Sequence, residues 1–117
     1  MTPNTQALQR LLDAVETEEG PGNHVFVLDT VDQVKWCVEA YNGSLDAAKA
    51  LHDALLPRGK LFVRFAQHAD GHYCEITGSL PDDAPKWTYP VVYSGKASNP
   101  ARAWLLAIIR AVMAGER

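Results

Sequence analysis

The chain is poor in cysteine, in net charge and in long apolar runs, and each shortage removes a class of function. Cys37 and Cys74 are the only cysteines in 117 residues; they share no metal-ligand spacing and fall in what read as different elements. They read as reduced, largely buried thiols of a cytosolic protein. Eleven basic residues against 14 acidic leave a formal charge of −3. That balance lacks the basic stripe of a nucleic-acid binder and is too mild for an acidic mimic of DNA. The longest apolar run, Ala103 to Ile109, is closed by Arg110 and is far too short to cross a bilayer. Met1-Thr2-Pro3-Asn4-Thr5 has neither the basic nor the apolar segment of a signal peptide. The expectation is a soluble, cytoplasmic protein with no membrane or nucleic-acid partner.

Catalytic signatures are missing as well. Without a G-x-S-x-G elbow, Ser79 and Ser94 carry no sign of a nucleophile. The pairs Glu18-Glu19 and Asp82-Asp83 sit in segments that read as wet, where nothing would raise a carboxyl pKa for general acid work. No catalytic residue, metal or cofactor is expected, and the chain reads as a non-enzyme.

What is present is the composition of a globular protein, 47% hydrophobic and 21% charged. Its length fits one domain over residues 1–117, with 1–22 as an N-terminal helix and its breaker. Thr2-Pro3 is a helix start, and Leu8, Leu11, Leu12 and Val15 follow the spacing of one buried stripe. Glu16, Glu18 and Glu19 before Gly20-Pro21-Gly22 read as a solvated, frayed helix end, since acids there oppose the macrodipole. His24 to Leu28 fits a short strand, while Thr30-Val31-Asp32-Gln33 has capping-box form, with Val31, Val34, Val38 and Tyr41 continuing at helical spacing. The state of residues 24–40, strand or helix, stays open at this point. Ser44 caps a further helix with Leu45, Ala48, Leu51 and Leu55 inward, ended by Pro57-Arg58-Gly59.

From Lys60 the pattern alternates. Leu61, Val63 and Phe65 point one way, and Phe62, Arg64 and Ala66 the other. Asp70-Gly71 reads as the centre of a type I′ hairpin turn, which would set Phe65 opposite Ile76 and Arg64 opposite Thr77, with Arg64 and Glu75 diagonal. The core face would hold Leu61, Val63, Phe65, Cys74 and Ile76. After a proline-rich connection, Pro81 to Pro90, a third strand is expected over Val91–Tyr93. Asn99-Pro100 then opens an amphipathic helix with Ala101, Trp104, Leu105, Ile108, Ile109 and Val112 as its stripe and Gly115 as its stop. Trp36 and Trp104 read as core residues. The fold class is α+β, a small antiparallel sheet (hairpin plus third strand) packed between helices as a helix–sheet–helix sandwich, in the order α-(β/α)-α-β-β-β-α.

The stretch Tyr41-Asn42-Gly43-Ser44-Leu45-Asp46-Ala47-Ala48, then Leu55-Leu56-Pro57, a hairpin, and Ser98-Asn99-Pro100-Ala101-Arg102-Ala103 resembles the phage ABA-sandwich domain. That family consists of small proteins of tailed bacteriophages and prophages, and the likeness spans residues 41–114. Arg58-Gly59-Lys60 stands where the family usually carries Gly-Trp. The resemblance implies a helix–sheet–helix sandwich and a phage origin, and the family has no established activity to carry over.

His68, Asp70, His72 and Cys74 are the densest set of ligand-type residues, but the hairpin puts His68 and His72 on opposite faces, so they diverge. Gly95-Lys96-Ala97-Ser98 approaches a phosphate loop and fails it, with Pro90 where glycine is needed and Ala97 where Ser or Thr is needed. A helix start flanked by Lys96, Ser98 and Asn99 can still hold an anion, so a small-anion or nucleotide sponge is one alternative reading. Trp87 and Tyr89, in a proline-braced loop, form a candidate hot spot with Arg64 and Tyr73 of the solvent face of the hairpin. A simpler role for Trp87 is to fold over the edge of the core. The leading expectation is a non-enzymatic phage accessory protein that binds a host or phage protein, with a minor virion or morphogenesis component as a further alternative and a homo-oligomer left open.

Overall fold

The structure, a computed structural model, describes residues 5–56, 62–78, 83, 85–87 and 90–114. In chain order it comprises α1 (Thr5–Glu16), a 3-10 helix (Gly22–Val27), α2 (Val31–Tyr41), α3 (Leu45–Leu55), β1 (Phe62–His68), β2 (Gly71–Thr77), β3 (Val92–Ala97) and α4 (Pro100–Met113). The strands form one antiparallel sheet in the order β1-β2-β3. The α+β class and the sequence of elements are those the composition and periodicity indicate. The expected start at Thr2-Pro3, the stops at Pro57-Arg58-Gly59 and Gly115, and Leu61 lie outside the described residues. Among the described residues no helix is long and apolar enough to cross a membrane.

Local caps account for three helix starts. The Thr30 hydroxyl accepts from Gln33 N–H, Ser44 from Ala47 N–H, and the Asn99 side chain from Arg102 N–H, each meeting an orphan donor of a first turn. The Thr30 box closes one residue early: the Gln33 amide accepts from Asp29 N–H at 3.0 Å. Residues 24–28 are not a strand. His24 N–H reaches the Pro21 carbonyl and Leu28 N–H the Val25 carbonyl, so the Pro21-Gly22 corner winds into a 3-10 helix that leaves no edge to pair.

The centre of the molecule is α4. Ten of its 14 residues are buried. They include the whole expected stripe and, beyond it, Ala103, Leu106, Ala107 and Ala111, so only a narrow side with Arg102 and Arg110 is left half-buried. Helix α4 packs against β2 and β3 on one side and against α1, α2 and α3 elsewhere. Leu8, Leu11, Leu12 and Val15 of α1 are buried as the stripe predicts. Helix α2 is rotated from its expected face: Gln33, Cys37 and Ala40 are buried, Val31 is 84% exposed and Val38 39%. On α3, Ala47, Ala48, Leu51 and His52 face inward and Leu45 is exposed. In both helices the buried residues include alanines, which let neighbouring backbones approach where valine or leucine would hold them apart.

The acidic end of α1 is not a frayed tail. Glu16 pairs with Arg110 of α4 at 3.2 Å and Glu18 with Arg102 at 3.3 Å. Arg102 is only 14% exposed. Its guanidinium lies 3.9 Å over the Tyr41 ring, and its Nε donates to the Tyr41 carbonyl. The turn that follows α1, the end of α2 and the start of α4 are thereby joined at one side chain.

The hairpin closes through Ala69-Asp70 rather than Asp70-Gly71, so Phe65 stands opposite Cys74 and Arg64 directly opposite Glu75. Neither Ala69 nor Asp70 has positive φ; only Gly71, the first residue of β2, does, at +145°. The glycine therefore relieves the strand entry and not the turn centre, which shifts the pairing by two residues. An even shift keeps every side chain on its expected face. Strand β3 also runs on through Lys96 and Ala97, well past Tyr93.

Gly95 sets the distance between sheet and helix. A Cβ there would lie 2.2 Å from the Ala103 carbonyl oxygen and 2.7 Å from Leu106 Cβ. The obstacle is backbone in the middle of α4, which cannot move aside as a flexible side chain could. Gly95→Ala is expected to cost about 3 kcal/mol or more, read as a lowered midpoint in urea unfolding, whereas Ser94→Ala one residue earlier should change it little.

Candidate functional site

The strand alternation sends Val63, Phe65, Cys74, Ile76, Tyr93 and Gly95 toward α4. The opposite face receives Phe62, Arg64 and His68 from β1, Tyr73 and Glu75 from β2, and Val92 and Lys96 from β3. Cys74 and Ile76 are fully buried, whereas Phe62 is 73% and Val92 49% exposed. This outer face is where two of the candidate partner-binding residues meet: Arg64 and Tyr73 lie on it together.

The face has a polar end and an apolar end. At the hairpin end the Tyr73 hydroxyl donates to Asp70 at 2.9 Å and Lys96 Nζ donates to the same carboxylate oxygen at 2.8 Å. The Lys96 and Tyr73 hydrogen bonds hold the Asp70 carboxyl below its ordinary range, and the Asp70 bond holds the Lys96 ammonium above its own. His68 meets the Tyr73 ring edge-on, with centroids 4.9 Å apart. Arg64 and Glu75 lie 3.8 Å apart in the middle of the face, an exposed pair of small energetic weight. Phe62 and Val92, opposite the two ends of Thr77's row, supply the apolar end.

The residues proposed for an anion site are not brought together. Lys96 belongs to β3 and turns to Asp70, away from the start of α4. The Asn99 side chain is committed to Arg102 N–H, and the Ser98 hydroxyl accepts from the Arg102 guanidinium. His68 and His72 take opposite faces of the hairpin, as the alternation predicts. Trp87 is 78% exposed and so does not fold over the core; Tyr89 lies outside the described residues. Both cysteines are buried, and burial pushes each thiol up to about 12, which keeps them protonated and unreactive.

Two further features depend on contacts between elements distant in sequence or across a turn. One is an open groove of about 240 Å³ between the 3-10 helix and α2, lined by Phe26, Leu28, Asp29, Thr30, Val31 and Val34. Val31 and Val34 stand at the helical spacing of a core stripe, but only Val34 packs against the core while Val31 is exposed. The other is His52. Its Nδ1 accepts from Trp104 Nε1–H at 3.3 Å, and Phe65 meets Trp104 edge-on at 5.2 Å. Because the indole can only donate, this geometry requires a neutral imidazole at Nδ1. The spacing of His52 from Ala48 offered a signal, but a polar residue on an apolar stripe has no predictable partner until the second helix is placed.

No protein-family model matches the chain, and no curated protein and no solved structure matches it significantly.

The His52 contact carries a pH dependence. Burial lowers its pKa from the ordinary histidine value, against an opposing pull from Asp53, with Lys49 lowering it further. Unfolded His52 takes up a proton near pH 6.5, and the folded protein does so only at lower pH. Between those two values the unfolded state holds more protons, so stability is lost as pH falls from about 6.5 through the folded value. Thermal unfolding from about pH 7.5 down to pH 5 is expected to show this loss. His52→Gln, which keeps an acceptor for Trp104, should flatten that part of the profile.

Proposed function

We propose that this chain is a non-enzymatic accessory protein that acts by binding another protein through the outer face of its sheet. The observation that carries the reading is the composition of that face. It holds exposed Phe62 and Val92 at one end, the Arg64–Glu75 pair in the middle and the Tyr73–Asp70–Lys96 cluster at the other. An apolar end beside tyrosine and arginine matches the chemistry of protein interfaces, where aromatic and arginine side chains supply most of the binding energy. Opposite charges alternate across it, which suits a partner of mixed charge better than a polyanion. Trp87, exposed in the β2–β3 connection, can extend the same surface. The resemblance of residues 41–114 to the phage ABA-sandwich domain suggests host or phage proteins as the pool of partners.

The face is testable without knowing the partner beforehand. Partners captured by the purified chain from phage-infected and uninfected cells are identified by mass spectrometry, and the affinity of each is measured directly. The double variant Arg64→Glu with Tyr73→Ala is expected to weaken a genuine partner by about a hundredfold, two hot-spot side chains being worth about 3 kcal/mol together. Its circular dichroism should remain that of the parent. Equal affinity for the parent and this folded variant would remove the outer face as the binding surface. Trp87→Ala, tested in the same way, decides whether the loop takes part.

A further inference from the structure

The sheet has two outer edges, and the fold treats them differently. On the β3 side, Arg110 of α4 donates to the Ser94 carbonyl, while its other guanidinium nitrogen is held by Glu16 of α1 at 3.2 Å. A fixed charge on an edge strand is one of the devices that prevent further strands from adding. Among the described residues, strand β1 has no such guard. Among the described residues no strand pairs with its free side. Its seven residues match β2 one to one, so no bulge twists the edge away, and it contains no proline. Arg64 is its one Lys, Arg, Asp or Glu. Phe62, 73% exposed, and Phe65, 45% exposed, stand on its two faces. Every second residue of an antiparallel edge strand turns both its N–H and its C=O outward, and those groups need an extended partner.

We propose that β1 pairs antiparallel with β1 of a second copy about a two-fold axis through Phe65, joining the two sheets into one of six strands. The strand is self-complementary in this register. Phe65 is the middle of Phe62–His68, so an axis there is the placement that overlaps the whole strand. Phe65 then faces the partner's Phe65, Arg64 the partner's Ala66, and Phe62 the partner's His68. Aromatic side chains meet across the pair, and no like charges stand directly opposite. The axis runs through the sheet, so both outer faces lie on the same side and form one surface of twice the width. One strand pair buries less than the area of a standard stable interface, so the dimer is a concentration-dependent equilibrium.

Sedimentation equilibrium of the purified full chain, from about 1 to 500 μM, tests this independently of any other partner. The expected result is a mass rising from one chain toward two. Ala66 faces Arg64 twice across the axis, so charge at position 66 acts with a predictable sign. Ala66→Lys should raise the dissociation constant about tenfold and Ala66→Glu should lower it by a comparable factor. Circular dichroism checks that both variants fold. If either does not, hydrogen exchange of the parent chain serves instead, with β1 amides expected to gain protection as concentration rises. A monomeric mass throughout, a dissociation constant that moves the same way in both variants, or β1 exchange independent of concentration would each overturn the proposal.

Discussion

The close approach of β3 to α4 at Gly95 is the constraint on which the rest of the structure depends. With hydrogen in place of a side chain, the strand comes down onto the helix backbone between Ala103 and Ala107. At that distance the sheet seals one side of α4, and α1, α2 and α3 enclose the remainder. Leu105, Leu106 and Ile108 are then buried together, although they point in different directions around the helix. A larger residue at position 95 would lift the sheet and expose apolar surface along the whole contact, because close-packed interiors do not absorb a local expansion.

Electrostatics secures what packing assembles. Glu16 and Glu18 sit at the C-terminal end of α1, and Arg102 sits in the first turn of α4; each is placed unfavourably for its own helix dipole. The fold brings Glu18 to Arg102 and Glu16 to Arg110, so charges that would weaken isolated helices offset one another across the interface. Arg102 does more than pair. Stacked on Tyr41 and bonded to the Tyr41 carbonyl, it also ties down the end of α2, a task for which the planar guanidinium is suited and an ammonium is not.

The same construction explains where binding chemistry is left over. Because α4 takes all the helix packing on one face of the sheet, Arg64, Tyr73 and Lys96 are free of packing duties on the other. Their mutual contacts, through Asp70 and Glu75, order the side chains without hiding them. Preordered polar and aromatic groups lose less entropy on binding. The interior is different in kind. Cys37, Cys74 and the His52–Trp104 pair are enclosed groups whose environments favour the neutral form, and they act on stability rather than on a ligand.

Features that rest on interactions within a few residues are legible in the amino-acid order alone. Thr30, Ser44 and Asn99 cap their helices wherever those helices pack, since the accepting side chain and the N–H that donates to it lie three residues apart. The hairpin and the face of each strand residue followed from alternation and from the Asp70-Gly71 pair that marks the reversal. The tertiary structure decided what depends on distant partners. Turn geometry moved the register by two residues, because the loop is Ala69-Asp70 and Gly71 already belongs to β2. The face of α2 turned inward is that of Gln33, Cys37 and Ala40, because its neighbours α3 and α4 together decide which side is covered. Lys96, adjacent in sequence to a helix start that resembled an anion site, was carried by β3 to Asp70, 26 residues back. The Pro100 helix was legible as a helix from its cap and its apolar run, but its place at the centre was not. A sequence reports that one face of a helix is apolar, and only the assembled fold shows whether the remaining faces meet water or other chain.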